Sequence, residues 1–192
     1  MEPHSSSPDD PRRRVYFEKL ATVSFAQAKE LARAHGSPLL ALSRSHIEQS
    51  YHALTRALPH VRIFYAIKSN PHPDILRTLQ KLGASFEVAS FGELKQIMRF
   101  GVEARDVLNT QPFLSEREFA ACYRAGQRWF IFDNGDELRR LTKRTPDIDL
   151  LLRLSFPNRN CQVDLSYKFG ATVAEAPGLI RAARATGARV HC

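Results

Sequence analysis

Cysteine is scarce in this chain, and the three present (Cys122, Cys161 and Cys192) form no CxxC pair. An odd count at these spacings argues against a disulfide framework and against a structural zinc site. Cys122 lies in an apolar helical context and reads as core. Cys161 lies in a polar loop, and no Cys/His arrangement marks it as a catalytic thiol. Long apolar runs are missing too: none approaches the roughly 18–20 residues needed to cross a bilayer. The opening MEPHSSSPDDPRRR is polar, with no apolar segment behind its charges, unlike a secretory signal. Residues 1–14 are expected to form a disordered tail, and a cytoplasmic setting follows. The net charge is +8, yet the cations are not gathered into a patch beyond Arg12-Arg13-Arg14. Arg139-Arg140 and Lys143-Arg144 follow Asp136 and Glu137 on an expected solvated helix. No aromatic residues interleave with the arginines, as a nucleic-acid stacking platform requires. A nucleic-acid partner is therefore disfavoured, while the charge suits drawing in an anionic ligand.

What the chain does contain is a rhythm. Ser24–His35 reads as a helix capped by Ser24, with Phe25, Ala28, Leu31 and Ala32 as its apolar stripe and Gly36 as its stop. The run 38-PLLALS-43 reads as a strand, and Ser45–Leu58 as a second helix closed by Pro59. Short apolar runs then begin near Arg62, Ala84, Asp106, Arg128 and Asp147, roughly 20–23 residues apart. Helix patterns lie between them: Pro73–Leu82, Phe91–Phe100, Ser115–Ala125 and Asn134–Thr142. Ser115 with Glu118 has the form of a capping box, and Gly83, Gly101 and Gly126 sit where helix C-caps belong. A last helix over Val173–Thr186 ends at Gly187 and leads into a sixth strand, Ala188–Cys192. Repeated strand–helix units with nearly continuous apolar strands predict a parallel sheet. Two folds fit: an open doubly wound sheet, or part of a (β/α)₈ barrel, which normally takes about 250 residues. The absence of GxGxxG after the first strand weakens the dinucleotide version of the former.

In either fold, ligands collect at the C-terminal ends of the strands. Three charged side chains fall there. Lys68 ends 62-RIFYAIK-68, on the face of Phe64 and Ala66 by alternation. Glu87 in 84-ASFEVAS-90 shares its face with Ser85 and Ala89. Arg153 in 149-DLLLRLS-155 shares its face with Leu151 and Ser155. The alternative reading is an ion network plugging a barrel mouth. Small neighbours beside Lys68 and Glu87 leave space and favour a site. Among apolar walls a lysine's ammonium form is disfavoured and the free amine becomes available for Schiff-base chemistry, while an adjacent carboxylate pulls the other way.

YAIKSN, FEVASFGEL, LNTQPF, FDNGDEL, LLRLS and DLSYKFGAT, in that order, resemble the fold-type III pyridoxal-phosphate enzymes. These are the ornithine, diaminopimelate and arginine decarboxylases on an alanine-racemase-like barrel. The resemblance runs from about Ser37 to Cys192 and leans toward the ornithine-decarboxylase-like members at LSYKFGAT. It implies an α/β fold: a partial (β/α)₈ TIM barrel covering five to six strands over residues 15–192, without the family's C-terminal β-domain. It implies pyridoxal 5'-phosphate as cofactor, Lys68 as its Schiff-base lysine, and Glu87 and Arg153 beside it. It places Lys168 at a homodimer interface beside the site and 157-PNRNCQVDLSY-167 in a loop over the site. The implied reaction is decarboxylation of a basic L-amino acid (ornithine, lysine, arginine or diaminopimelate), with the present chain an incomplete form. A second reading is a catalytically inactive homologue that binds a regulatory partner. His191 falls a few positions too early for the family's ring-stacking histidine and is left out of the site.

Overall fold

The structure is a computed structural model, described over residues 23–143, 145, 147–157, 166 and 168–191. Residues 1–14, Cys161 and most of the 157–167 loop lie outside the described residues. The chain divides into two compact units, Met1–Pro59 and His60–Cys192.

In the first unit, α1 (Phe25–His35) and α2 (Arg44–Ala57) start at serine caps. Ser24 Oγ accepts from Gln27 N at 3.2 Å, and Gln27 Oε1 accepts from Ser24 N at 2.9 Å, a full capping box where a simple cap was expected. Phe25, expected on the buried stripe, is 85% exposed. The expected strand at residues 38–43 does not form. A strand is defined by a ladder to a neighbour, and no such neighbour exists for this run among the described residues.

In the second unit six parallel strands alternate with helices. The strands are β1 (Phe64–Ala66), β2 (Ser85–Val88), β3 (Leu108–Asn109), β4 (Trp129–Phe132), β5 (Asp149–Leu152) and β6 (Arg189–His191). The helices are α3 (Pro73–Lys81), α4 (Phe91–Met98), α5 (Glu116–Arg124), α6 (Gly135–Thr142) and α7 (Ala176–Ala185). Strand order settles the choice of fold. It is strictly sequential, β1-β2-β3-β4-β5-β6, with no reversal. A doubly wound sheet requires a switch point where the order reverses; a barrel does not. Right-handed crossovers in sequential order also put the helices on one face of the sheet.

That face carries the core. Phe86, Val88, Phe130, Phe132 and Leu150 are at most 1% exposed, and the Phe119 ring of α5 meets Phe130 edge-on at 5.0 Å. Cys122 is buried here, as expected, and burial pushes its thiol pKa up to about 11. The registers Ala66↔Glu87↔Leu108↔Trp129↔Asp149↔Arg189 run across the opposite, inner face. Ser90, Ser115 and Asn134 cap α4, α5 and α6 by accepting from the backbone N–H three residues on. The Ser115 capping box is only half made. Glu118 instead accepts from Phe91 N at 2.8 Å, tying α5 to the start of α4. Gly83, Gly101, Gly126 and Gly187 follow their helices with φ between +79° and +101°. One surface expectation needs correcting: Arg140 is not solvated but donates to Glu137 on α6 at 2.9 Å, and Glu137 is only 6% exposed.

Candidate active site at the C-terminal ends of the strands

β1 does not run on to Lys68. It stops at Ala66, and Ile67–Ser69 form a 3₁₀ turn. Ser69 Oγ donates to Ala66 O at 2.6 Å and Tyr65 Oη donates to Asn70 O at 3.1 Å, closing the turn. Ile67 is fully buried and anchors it. Lys68 thus lies just past the strand, and its side chain returns over the inner face.

There Lys68 Nζ donates to Glu87 Oε1 at 3.0 Å. Thr110, one step beyond β3 on the same face, donates through Oγ1 to the same carboxylate oxygen. The Lys68 side chain is 56% exposed and that of Glu87 only 10%. The amine is therefore not walled in by apolar groups, as the sequence suggested. It is an accessible amine group held by a buried carboxylate. An amine with a proton acceptor in hydrogen-bond reach is the arrangement that addition to a carbonyl needs.

A second cluster lies across the sheet at the same end. Arg153 continues the ladder past β5, its N–H donating to Phe132 O at 2.9 Å. Its guanidinium carbon sits 5.1 Å from the centre of the Phe169 ring. Phe169 in turn packs on Phe113 with ring centres 5.9 Å apart. The segment carrying Phe169 is docked by its backbone: Ala171 N donates to Arg153 O, and Ser155 N to Ala171 O, both at 2.9 Å. Gly170 N donates to Asp133 Oδ2 at 2.8 Å. Lys168 lies on this segment and is exposed. So the structure pairs Lys68 with Glu87, and it places Arg153 against Phe169 in a separate cluster, with Lys168 exposed on the segment that carries Phe169. Thr110, Asp133 and Phe169 were not singled out from sequence. For the first two, the strand-end rule applied to LNT and FDN was signal enough.

At the opposite end of the inner face, Asp149 is locked down. Arg189 donates to it through Nε and Nη2 at 2.8 and 2.7 Å, and His191 Nε2 lies 2.7 Å from Oδ1. Hydrogen bonds from Arg189, then from His191, hold the Asp149 carboxyl below the usual range despite its burial. The His191 ring packs on Trp129 at 4.5 Å. These groups satisfy one another, with Asp149 buried and Arg189 half exposed, at the end of the sheet away from Lys68.

The donor set fits pyridoxal phosphate: an exposed primary amine suits an aldehyde, a carboxylate stands beside it, and Arg153 has no ion pair among the described residues and can meet an anionic group. No helix among the described residues is long and apolar enough to cross a membrane.

Comparison with known proteins agrees with this geometry. Residues 44–192 match the family described as pyridoxal-dependent decarboxylase, pyridoxal binding domain. The lysine/ornithine decarboxylase of Selenomonas ruminantium is 36% identical over 165 residues, covering 86% of this chain and 42% of that protein. The crystal structure of lysine decarboxylase from the same organism superposes with a TM-score of 0.79 over 89% of this chain and 44% of that one, at 36% identity. Lysine/ornithine decarboxylase from Vibrio vulnificus, complexed with cadaverine, gives a TM-score of 0.77 and 33% identity over 88% of this chain and 45% of that one. The chain thus spans less than half the length of each of these relatives. Pyridoxal is the family's cofactor, and the six sequential parallel strands are the N-terminal part of its barrel. The chain belongs to the pyridoxal-dependent decarboxylase family.

Proposed function

We propose that this protein serves pyridoxal-phosphate-dependent decarboxylation of a basic L-amino acid, with Lys68 as the Schiff-base lysine. One observation carries the reading: within the family-matched segment, the Lys68 amine stands at the C-terminal end of the sheet, 3.0 Å from Glu87. Bound pyridoxal phosphate supplies an electron sink for the electrons left by departing carbon dioxide. The residues supply the rest. Glu87 orients Lys68 and is placed to take the proton its ammonium must lose before the amine can attack an aldehyde. Thr110 holds the Glu87 oxygen that faces Lys68. Arg153 offers a cation to an anionic group of the ligand. Lysine, ornithine, arginine and diaminopimelate are the substrate class. The support is the naming of the relatives, lysine/ornithine decarboxylases, one of them complexed with cadaverine. A homodimer with exposed Lys168 at its interface, acting in the cytoplasm, is part of the same proposal.

Borohydride reduction in the presence of pyridoxal phosphate, followed by peptide mapping, tests it. The label is expected on Lys68, and a label on any other lysine refutes the assignment. Carbon dioxide release from the four amino acids then separates turnover from cofactor binding alone. Labelled Lys68 with no release from any of them would favour the inactive binding homologue.

A further inference from the structure

Arg153 is the feature that the pairing chemistry leaves open. In register, Phe132 stands opposite Leu152, so the next residues, Asp133 and Arg153, stand opposite each other at the strand ends. An acid facing an arginine is set to form an ion pair, and none forms. Asp133 spends one carboxylate oxygen on Gly170 N at 2.8 Å and the other on Asn134 Nδ2 at 2.8 Å. Arg153 is left with an aromatic ring as its neighbour, Phe169, the residue before Gly170.

We propose that Asp133 is a positioning residue for the cofactor site: by holding Gly170 N it fixes Phe169 against Arg153 and keeps the guanidinium free for an anionic ligand group. Three features of the geometry make the hold specific. Gly170 has φ +103°, and a Cβ built there would lie 2.7 Å from Ser155 N and 2.8 Å from Leu154 C, so the backbone of this segment is seated directly on the β5 extension. Ala171 N donates to Arg153 O and Ala171 O accepts from Ser155 N, so the position of Gly170 is tied to that of Arg153. Phe169 also packs on Phe113. With the Gly170 hold broken and Asp133 intact, the carboxylate would be free to turn to the cation opposite it and compete with the ligand; Asp133→Ala removes that carboxylate together with the hold, and so tests the fixing of Phe169 against Arg153. The inference rests on the cofactor reading above for the identity of the ligand, but not for the clamp itself.

The test uses Asp133→Ala and Asp133→Asn in the full chain, with two readouts. In the chain without cofactor, the side-chain protons of Arg153 are expected to show an upfield ring-current shift from Phe169 by NMR. Asp133→Ala should lose most of that shift. Asp133→Asn, which keeps an acceptor oxygen for Gly170 N, should retain it. Titration with pyridoxal phosphate should then show binding weakened by about tenfold in Asp133→Ala, where the Phe169 segment is no longer fixed against Arg153, and within about twofold of the parent in Asp133→Asn, which keeps the acceptor for Gly170 N. Phe169→Leu, which keeps the apolar bulk, should lose the shift while Asp133 is intact. An Arg153 shift unchanged in Asp133→Ala overturns the proposal, as does unweakened binding by that variant or failure of Asp133→Asn to rescue. If the parent chain takes up no pyridoxal phosphate, the proposed function fails while the ring-current readout still decides whether the clamp exists.

Discussion

Gly170→Ala is expected to be among the most damaging single-methyl additions in this chain, and Gly101→Ala supplies its control. Both glycines have positive φ, +103° and +79°. A Cβ at Gly101 meets nothing within 4 Å, so alanine there bears only the backbone cost, about 1–2 kcal/mol. At Gly170 the Cβ would stand 2.7, 2.8 and 2.9 Å from Ser155 N, Leu154 C and Leu154 O. These are backbone atoms of a laddered segment and cannot swing aside as a side chain would. Overpacking of this kind adds about 1–3 kcal/mol, for a total of roughly 2–5 kcal/mol. The penalty has a ceiling, because the segment can undock instead. Undocking gives up two neutral backbone hydrogen bonds at about 0.5–1.5 kcal/mol each and one to the Asp133 carboxylate at about 1.5–3 kcal/mol. Strain and undocking are thus of similar size, and about 3 kcal/mol is expected, about 1–2 kcal/mol beyond Gly101→Ala. Urea unfolding of the two variants beside the parent measures the difference. Equal destabilisation by the two would refute the seating of Gly170 against Leu154 and Ser155.

Asp149→Asn should cost about 2 kcal/mol at neutral pH, since two hydrogen bonds from Arg189 lose their charged acceptor. The folded-state pKa of Asp149 is depressed, so its contribution is fully present above the unfolded value of about 3.9 and is lost as pH falls through the lower folded value. The parent–variant gap should therefore begin to narrow below about pH 4 and go on narrowing as the pH falls through the folded value; a gap that does not narrow with acid in the unfolding curves would count against the ion network. Glu118→Ala should cost about 1–2 kcal/mol, because the Phe91 N–H at the start of α4 loses its carboxylate acceptor, and faster amide exchange at Phe91 is the local check. Ser115→Ala should cost about 1 kcal/mol through the lost cap on Glu118 N, measured by the same unfolding assay. The buried Cys122 thiol, with its pKa pushed up to about 11, should resist thiol reagents at pH 8 until the chain is unfolded, as peptide mapping of the modified residue would show. Labelling of native Cys122 at the rate of an exposed thiol would contradict its place under β3.

The sheet was legible because each strand–helix unit announces itself locally: an apolar run, a capping Ser or Asn, a helix, a glycine. Ser90, Ser115 and Asn134 cap by the same three-residue step, and that step is readable in one dimension. The 38-PLLALS-43 run failed for the complementary reason. Its composition suits a strand, but a strand also needs a partner that composition cannot supply. Lys68 was placed correctly by an argument that was only partly right. Alternation carried it to the inner face along a strand, whereas a 3₁₀ turn anchored by Ile67 brings it there. The strand-end rule tolerates that error because it depends on where a strand stops, not on how. It has no such tolerance for the question of which charges are spent on each other. Glu87 and Asp133 are both acids at strand ends, each in reach of a cation. One pairs with Lys68; the other turns to a backbone N–H thirty-seven residues along the chain and leaves Arg153 to an aromatic ring. That difference goes with the seating of Gly170, whose missing side chain lets its backbone pack on Leu154 and Ser155 with its N–H 2.8 Å from the Asp133 carboxylate. In the proposed clamp, the charge left for a ligand thus depends on a glycine and a peptide nitrogen, groups that a search for titratable side chains passes over.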